Sequence, residues 1–161
     1  MFEDSDERAI FFAKGVIETV KKLGWKPDII HCHGWMASLL PVYLKQQYAE
    51  DPHFADSKLV VSLYKDGFDG KISEDLNKKL AFDEISEEDT KMVNEATYNN
   101  MLKLAMKNSD GVVKIGDEFD ADLIQSMEDS DVSVLDNPEN EDAAAYSSFY
   151  DALLEETVTT S

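Results

Sequence analysis

Apolar positions along this chain follow two alternating rhythms. Over Glu7–Leu23, the residues Ile10, Phe11, Ala13, Val16, Ile17, Val20 and Leu23 recur at helical spacing. That spacing predicts a helix, with Asp6 as its N-cap and Gly24 as its stop. The apolar run Asp28–Cys32 predicts a strand, and Trp35–Tyr48 a second helix with Pro41 near its first turn or at a kink. After a loop at Asp51-Pro52-His53, the stretch Leu59–Tyr64 is almost continuously apolar, the mark of a parallel strand buried on both faces. Two glycines and two aspartates make Lys65–Lys71 a loop, and a short helix is expected over Ser73–Leu80. A long helix is expected from Ser86 to Asn108, with Ser86 as cap and Asp89 at the capping-box position. Gly111–Ile115 reads as the third strand, Asp117–Glu128 as a helix, Val132–Asp136 as the fourth strand and Asn140–Glu156 as a last helix.

Strands that alternate with helices pair in parallel through right-handed crossovers. The expected fold is therefore α/β: a doubly wound, Rossmann-like domain of about four parallel strands with helices on both faces. Residues 1–156 form one domain and 157–161 a frayed tail. The chain opens on a helix, whereas nucleotide folds of this class usually open on a strand and a glycine-rich turn. Neither G-x-G-x-x-G nor G-x-x-x-x-G-K-[ST] occurs, and Lys65–Lys71 has the wrong glycine spacing. Either the domain is a self-contained variant or N-terminal strands are missing. In the second case an apolar strand is left at an open edge, and a homo-oligomer, marginal stability or a longer natural chain is expected.

Charge narrows the partners. The net charge is −19, and residues 115–161 hold 14 acidic side chains and no basic one. Such a surface repels nucleic acid and anionic lipid. It serves either as a solvated face or as a docking surface for a basic partner. No run of 18 apolar residues predicts a membrane span, and the acidic start Phe2-Glu3-Asp4 does not resemble a signal peptide. The single cysteine, Cys32, lies inside a predicted strand and is expected to be a buried thiol. The reading is a cytoplasmic protein.

The most informative stretch is residues 26–45, where the apolar strand Ile29–Cys32 runs into a short turn at His33-Gly34 and an apolar helix follows from about Trp35. Open α/β sheets bind ligands at the carboxyl ends of their strands. A neutral imidazole at His33 can donate from one nitrogen and accept at the other, which suits a hydroxyl; the alternative is a histidine that only holds the turn. His31 is expected to be buried and satisfied. Two histidines at i and i+2 share a strand face, but no third metal ligand is evident, so no metal is assigned. Gly34 permits positive φ or a close ligand approach. Trp35 either packs in the core or stacks on a ligand ring, and Trp25 is expected to pack beside Pro27. Pairs such as Glu87-Glu88 and Glu141-Asp142 read as solvated helix ends rather than as hydrolytic carboxylates.

Residues 27–45 read P-D-I-I-H-C-H-G-W-M-A-S-L-L-P-V-Y-L-K. This stretch resembles the pattern P-D-[IV]-[IV]-H-x-H-D-W-x-x-[AG]-L-x-P-x-[YL]-L-K of the bacterial glycogen synthase and plant starch synthase family. Asp4–Phe12 is similar to that family's D-N-x-x-R-F-x-F-F, and Leu102–Ile115 to a later helix and strand. The likeness is good over residues 4–64 and weaker over 98–128.

The resemblance implies part of the acceptor-side half of a two-domain glycosyltransferase. The family reaction transfers glucose from ADP-glucose to the end of an α-1,4-glucan without a metal or other cofactor, ADP-glucose being a substrate. His33 would then face the transferred sugar, Gly34 and Trp35 would line the site, and Asp4 and Arg8 would lie near the acceptor cleft; their alternative is a surface ion pair. The partners implied are an α-glucan or a sugar nucleotide. Two departures matter. The aspartate of the family's H-D-W is Gly34 here, and the histidine and asparagine of its T-I-H-N are replaced within Ser62–Asp66. The donor-binding half is absent from this chain, so inactivity of the chain alone is expected. The alternatives are a non-catalytic glucan-binding or regulatory module derived from the enzyme, and an acidic interaction domain.

Overall fold

A computed structural model describes residues 2–65, 67–138 and 143–158. Helix α1 (Ser5–Lys22) leads into β1 (Ile29–His33). A 3₁₀ turn at Trp35–Ala37 follows, then α2 (Leu40–Gln47) and β2 (Lys58–Tyr64). Three helices, α3 (Leu76–Phe82), α4 (Glu87–Met92) and α5 (Tyr98–Lys107), precede β3 (Gly111–Ile115). The chain continues through α6 (Ala121–Glu128), β4 (Ser133–Asp136) and α7 (Ala143–Val158).

The four strands are parallel and lie in the order β1-β2-β3-β4. That sequential order is the order of one half of a doubly wound sheet. Alternation along the strands gives the sheet two different faces. One face presents Ile30, Cys32, Leu59, Val61, Leu63 and Val112. It packs with Ala9, Ala13 and Ile17 of α1, Val42 and Tyr43 of α2, Leu80 of α3, Leu104 of α5 and Leu123 of α6 in one apolar core. The other face presents Ile29, Val60, Val113, Ile115 and Leu135, and among the described residues α7 is the helix that packs on it, through Tyr146, Phe149, Tyr150 and Leu153. Helices therefore cover both faces, very unequally.

Gly111 sets how closely α7 approaches. A Cβ at that position would lie 2.8 Å from Leu153 Cδ1 and 2.9 Å from Phe149 Cζ.

Several element boundaries differ from the pattern-based expectation, each for a local reason. Helix α1 starts at Ser5, so Asp6 is not a cap. It is fully buried inside the first turn, with Lys79 Nζ 2.7 Å from its Oδ2. Gly24 ends this helix with φ +65°, as its position suggests. β1 runs one residue later than expected and takes in His33. The expected helix from Trp35 divides into the 3₁₀ turn and α2, because Pro41 would clash with the carbonyl four residues back in a continuous helix. The expected long helix from Ser86 to Asn108 also breaks. Ser86 does cap α4, accepting from Asp89 N at 3.3 Å, but Ala96 O accepts from Ile72 N at 2.9 Å and Thr97 caps a separate α5. Trp25 is 60% exposed rather than packed away. Helix α7 continues through Thr157 and Val158, while Asn140–Asp142 and the end of the proposed frayed tail, 159–161, lie outside the described residues. No helix among the described residues is long and apolar enough to cross a membrane.

Candidate functional site

β1 and β2 deliver their last residues to one rim of the sheet. Cα register pairs His31 with Val60 and His33 with Ser62, so His31, His33, Ser62 and Tyr64 all project from the α7 face.

His31 lies beneath the rim and is held on both sides. Its Nδ1 shares a hydrogen bond with Tyr150 Oη at 2.6 Å, and its Nε2 one with Ser62 Oγ at 2.8 Å. Burial, with a smaller contribution from neighbouring His33, pushes its pKa down to about 4. His31 is thus a neutral, satisfied histidine at neutral pH, and Tyr150 anchors α7 to it.

His33 stands one step further out and is exposed. Its Nδ1 shares a 2.9 Å hydrogen bond with Tyr64 Oη, and its ring lies 4.1 Å from the His31 ring. Partial burial lowers its pKa from the usual histidine value. This imidazole is held on one nitrogen, and Nε2 has no hydrogen-bond partner among the described residues. A held, neutral ring with a free nitrogen can give or take a hydrogen bond at a ligand hydroxyl.

Gly34 turns the chain away from the strand with φ +74° and ψ 165°, a conformation disfavoured for a residue with a Cβ. Open space surrounds the position of the missing Cβ, so the backbone angle and not crowding accounts for the glycine. Trp35 follows half-buried. Its ring meets Phe68 edge-on at 5.6 Å, and Phe68 meets Tyr98 edge-on at the same separation. Tyr98 Oη donates to Tyr64 O at 2.7 Å, and a Cβ at Gly67 would collide with the Tyr98 ring. This aromatic row fastens the loop after β2 beside the rim. The ammonium of Lys65 in that loop pairs with Glu118.

Asp4 and Arg8 do not join His33. They form an i,i+4 ion pair at 2.9 Å, both about half exposed, with the Arg8 guanidinium 4.9 Å above the Phe2 ring. Arg8 instead lines a groove of about 1000 Å³ along α1, together with Phe12, Val16, Val20 and Met36.

Cys32 is buried, and burial alone pushes its thiol up to about 12, so it is inert as a nucleophile. No group of three or more His, Cys, Asp or Glu side chains is arranged to hold a metal ion among the described residues.

Tyr64, Phe68, Tyr98 and Tyr150 are the site residues that sequence reasoning missed. Parallel register would have found Tyr64, which sits two residues beyond the partner of His33. Tyr150 carried only a helical i, i+3, i+4 pattern with Tyr146, Phe149 and Leu153, and no signal of which strand it meets.

Residues 1–135 match the family model described as the starch synthase catalytic domain. The glycogen synthase of Chlorobium limicola is 46% identical over 80 residues, covering 50% of this chain and 16% of the relative. That of Chlorobium luteolum is 39% identical over 104 residues, 65% of this chain and 21% of the relative. That of Chlorobaculum tepidum is 33% identical over 124 residues, 77% and 25% respectively. The chain thus spans no more than a quarter of the length of these relatives. No solved structure matches it. With the model covering most of its residues, the chain belongs to the starch synthase catalytic domain family, and its fold is that of a glycosyltransferase domain.

Proposed function

We propose that this chain is a glucan-recognising part of a glycogen synthase-type glycosyltransferase. It binds the end of an α-1,4-glucan at the rim formed by His33, Gly34, Trp35 and Tyr64. The reaction it serves is transfer of glucose from ADP-glucose to that end. The observation that carries this reading is the state of His33: exposed, neutral, oriented by Tyr64 through Nδ1, and free at Nε2 among the described residues. Sugars are recognised by such placed hydrogen-bonding groups beside aromatic rings, and Trp35 and Phe68 supply the rings.

The chain alone binds without transferring. Catalysis of group transfer depends on donor and acceptor held together by opposed surfaces, and this chain covers a quarter or less of its relatives' length. Gly34 stands where the family pattern places an aspartate, so any step that used that carboxylate is lost. Calorimetry with maltooligosaccharides tests the binding, and release of ADP from ADP-glucose in the presence of glycogen tests turnover. Saturable glucan binding that weakens in His33→Ala, without ADP release, is the expected pair of results. Absence of binding at millimolar sugar, or ADP release by the purified chain, contradicts the proposal.

A further inference from the structure

Helix α7 follows the segment that matches the family, which ends at residue 135, yet it reaches the candidate site. It runs back from the carboxyl rim toward the start of the strands. Leu153 sits over Gly111, the first residue of β3, and Tyr150 Oη meets His31 Nδ1 at 2.6 Å in the middle of β1. Tyr146 is one helical turn nearer the rim than Tyr150, a step of about 6 Å. From His31 to His33 the strand advances two residues, about 6.6 Å. The two steps match, so Tyr146 stands level with His33 as Tyr150 stands level with His31.

Ring contacts agree with this placement. The Tyr146 ring lies 6.1 Å from the His31 ring and 6.2 Å from the Tyr150 ring. The side chain is half-buried, packed against the cluster of Val60, Val113 and Leu153. Burial, with a smaller contribution from Tyr64, raises its phenol above the usual tyrosine value, so the hydroxyl is uncharged at neutral pH and can both donate and accept. Tyr150 Oη is committed to His31, whereas Tyr146 Oη has no hydrogen-bond partner among the described residues. Trp35 and Phe68 belong with the core on the opposite face of the sheet. His33 therefore has aromatic side chains to either side of it.

We propose that Tyr146 is a further sugar-contacting residue of this rim, its hydroxyl bonding a glucan hydroxyl beside the one that His33 Nε2 takes. The assignment rests on the reading of the rim as a glucan site. One hydrogen bond at His33 leaves a sugar free to pivot. A second from another element fixes which of its hydroxyls face the rim, and so selects among hexoses. The bond from Tyr150 to His31 and the close fit of Leu153 and Phe149 over Gly111 hold α7 at the height this contact needs.

Isotope-filtered NMR on the full chain with maltotetraose tests the contact directly. Nuclear Overhauser effects from the Tyr146 ring protons to sugar protons are expected. Tyr146→Phe keeps the ring and its packing and removes only the hydroxyl. It is expected to weaken maltotetraose binding about threefold to tenfold in calorimetry, with an unchanged melting temperature. The Overhauser measurement needs no variant, so it decides alone if Tyr146→Phe does not fold. Where the wild-type chain binds and His33→Ala weakens binding, missing Overhauser effects at Tyr146, or wild-type affinity in Tyr146→Phe, overturn this assignment and leave the reading of the rim standing. A wild-type chain that binds no maltotetraose overturns both.

Discussion

At His33 a single hydroxyl decides how the ring is presented. Tyr64→Phe removes the Oη that shares a hydrogen bond with Nδ1, and the ring is exposed, so the fold loses little. The cost of the lost bond is about 0.5–1.5 kcal/mol, and it falls on orientation. Weaker maltooligosaccharide binding by Tyr64→Phe, with a melting temperature near that of wild type, is the expected outcome of calorimetry and thermal denaturation. His31 makes a different prediction because it titrates. Its pKa falls from 6.5 to about 4 on folding, so between those values the unfolded chain binds more protons. Stability contributed by the neutral ring is complete above pH 6.5 and is lost as pH falls toward 4. The groups facing this ring are His33, Ser62, Tyr146 and Tyr150, none of them a carboxylate. Thermal melts across that window are expected to decline more steeply for wild type than for His31→Asn, which takes up no proton.

At the scale of elements, α7 is the one helix on its face of the sheet among the described residues, and its contact with β3 is a fitted pair. Leu153 is 1% exposed above Gly111. Leu153→Ala is expected to cost about 2–5 kcal/mol in urea denaturation. Gly111→Ala alone drives a Cβ against Leu153 and Phe149 and is also expected to destabilise. In the Leu153→Ala background that Cβ enters vacated space, so the double mutant is expected to be more stable than the sum of the single changes allows. Strict additivity would show that α7 does not sit on Gly111 as described.

The strands were legible because buried parallel strands read as apolar runs, and Gly111–Ile115 was found to the residue. The break between α4 and α5 was not legible. Val93 and Ala96 keep the helical apolar rhythm through it and are buried, yet a backbone bond from Ile72, more than twenty residues away, holds Ala96 out of a helix. The site was legible in part for the same reason. His33, Gly34 and Trp35 are local to one turn, whereas Tyr64 and Tyr150 reach β1 only through the assembled sheet and α7. Asp4 and Arg8 form with each other on α1 the surface ion pair that stood as the alternative to a place near the acceptor cleft.

For the whole molecule, charge is segregated along the chain, since the first 114 residues carry −5 of the total −19. The carboxyl rim near His33 holds a pairing of Lys65 with Glu118 and a row of aromatic rings, a surface suited to a neutral sugar. Binding of a neutral glucan is therefore expected to change little between low and high salt, in contrast to a docked basic protein, whose affinity falls as salt screens the acidic stretch. Calorimetry at two ionic strengths distinguishes the two.

The most direct test of sugar recognition at this rim is a two-dimensional NMR titration of the labelled chain with a maltooligosaccharide. Shifts concentrated at Gly34, Trp35, Tyr64 and Phe68, and abolished in His33→Ala, are the predicted result. A titration that leaves those amides unmoved, or that moves only residues along the α1 groove, contradicts it.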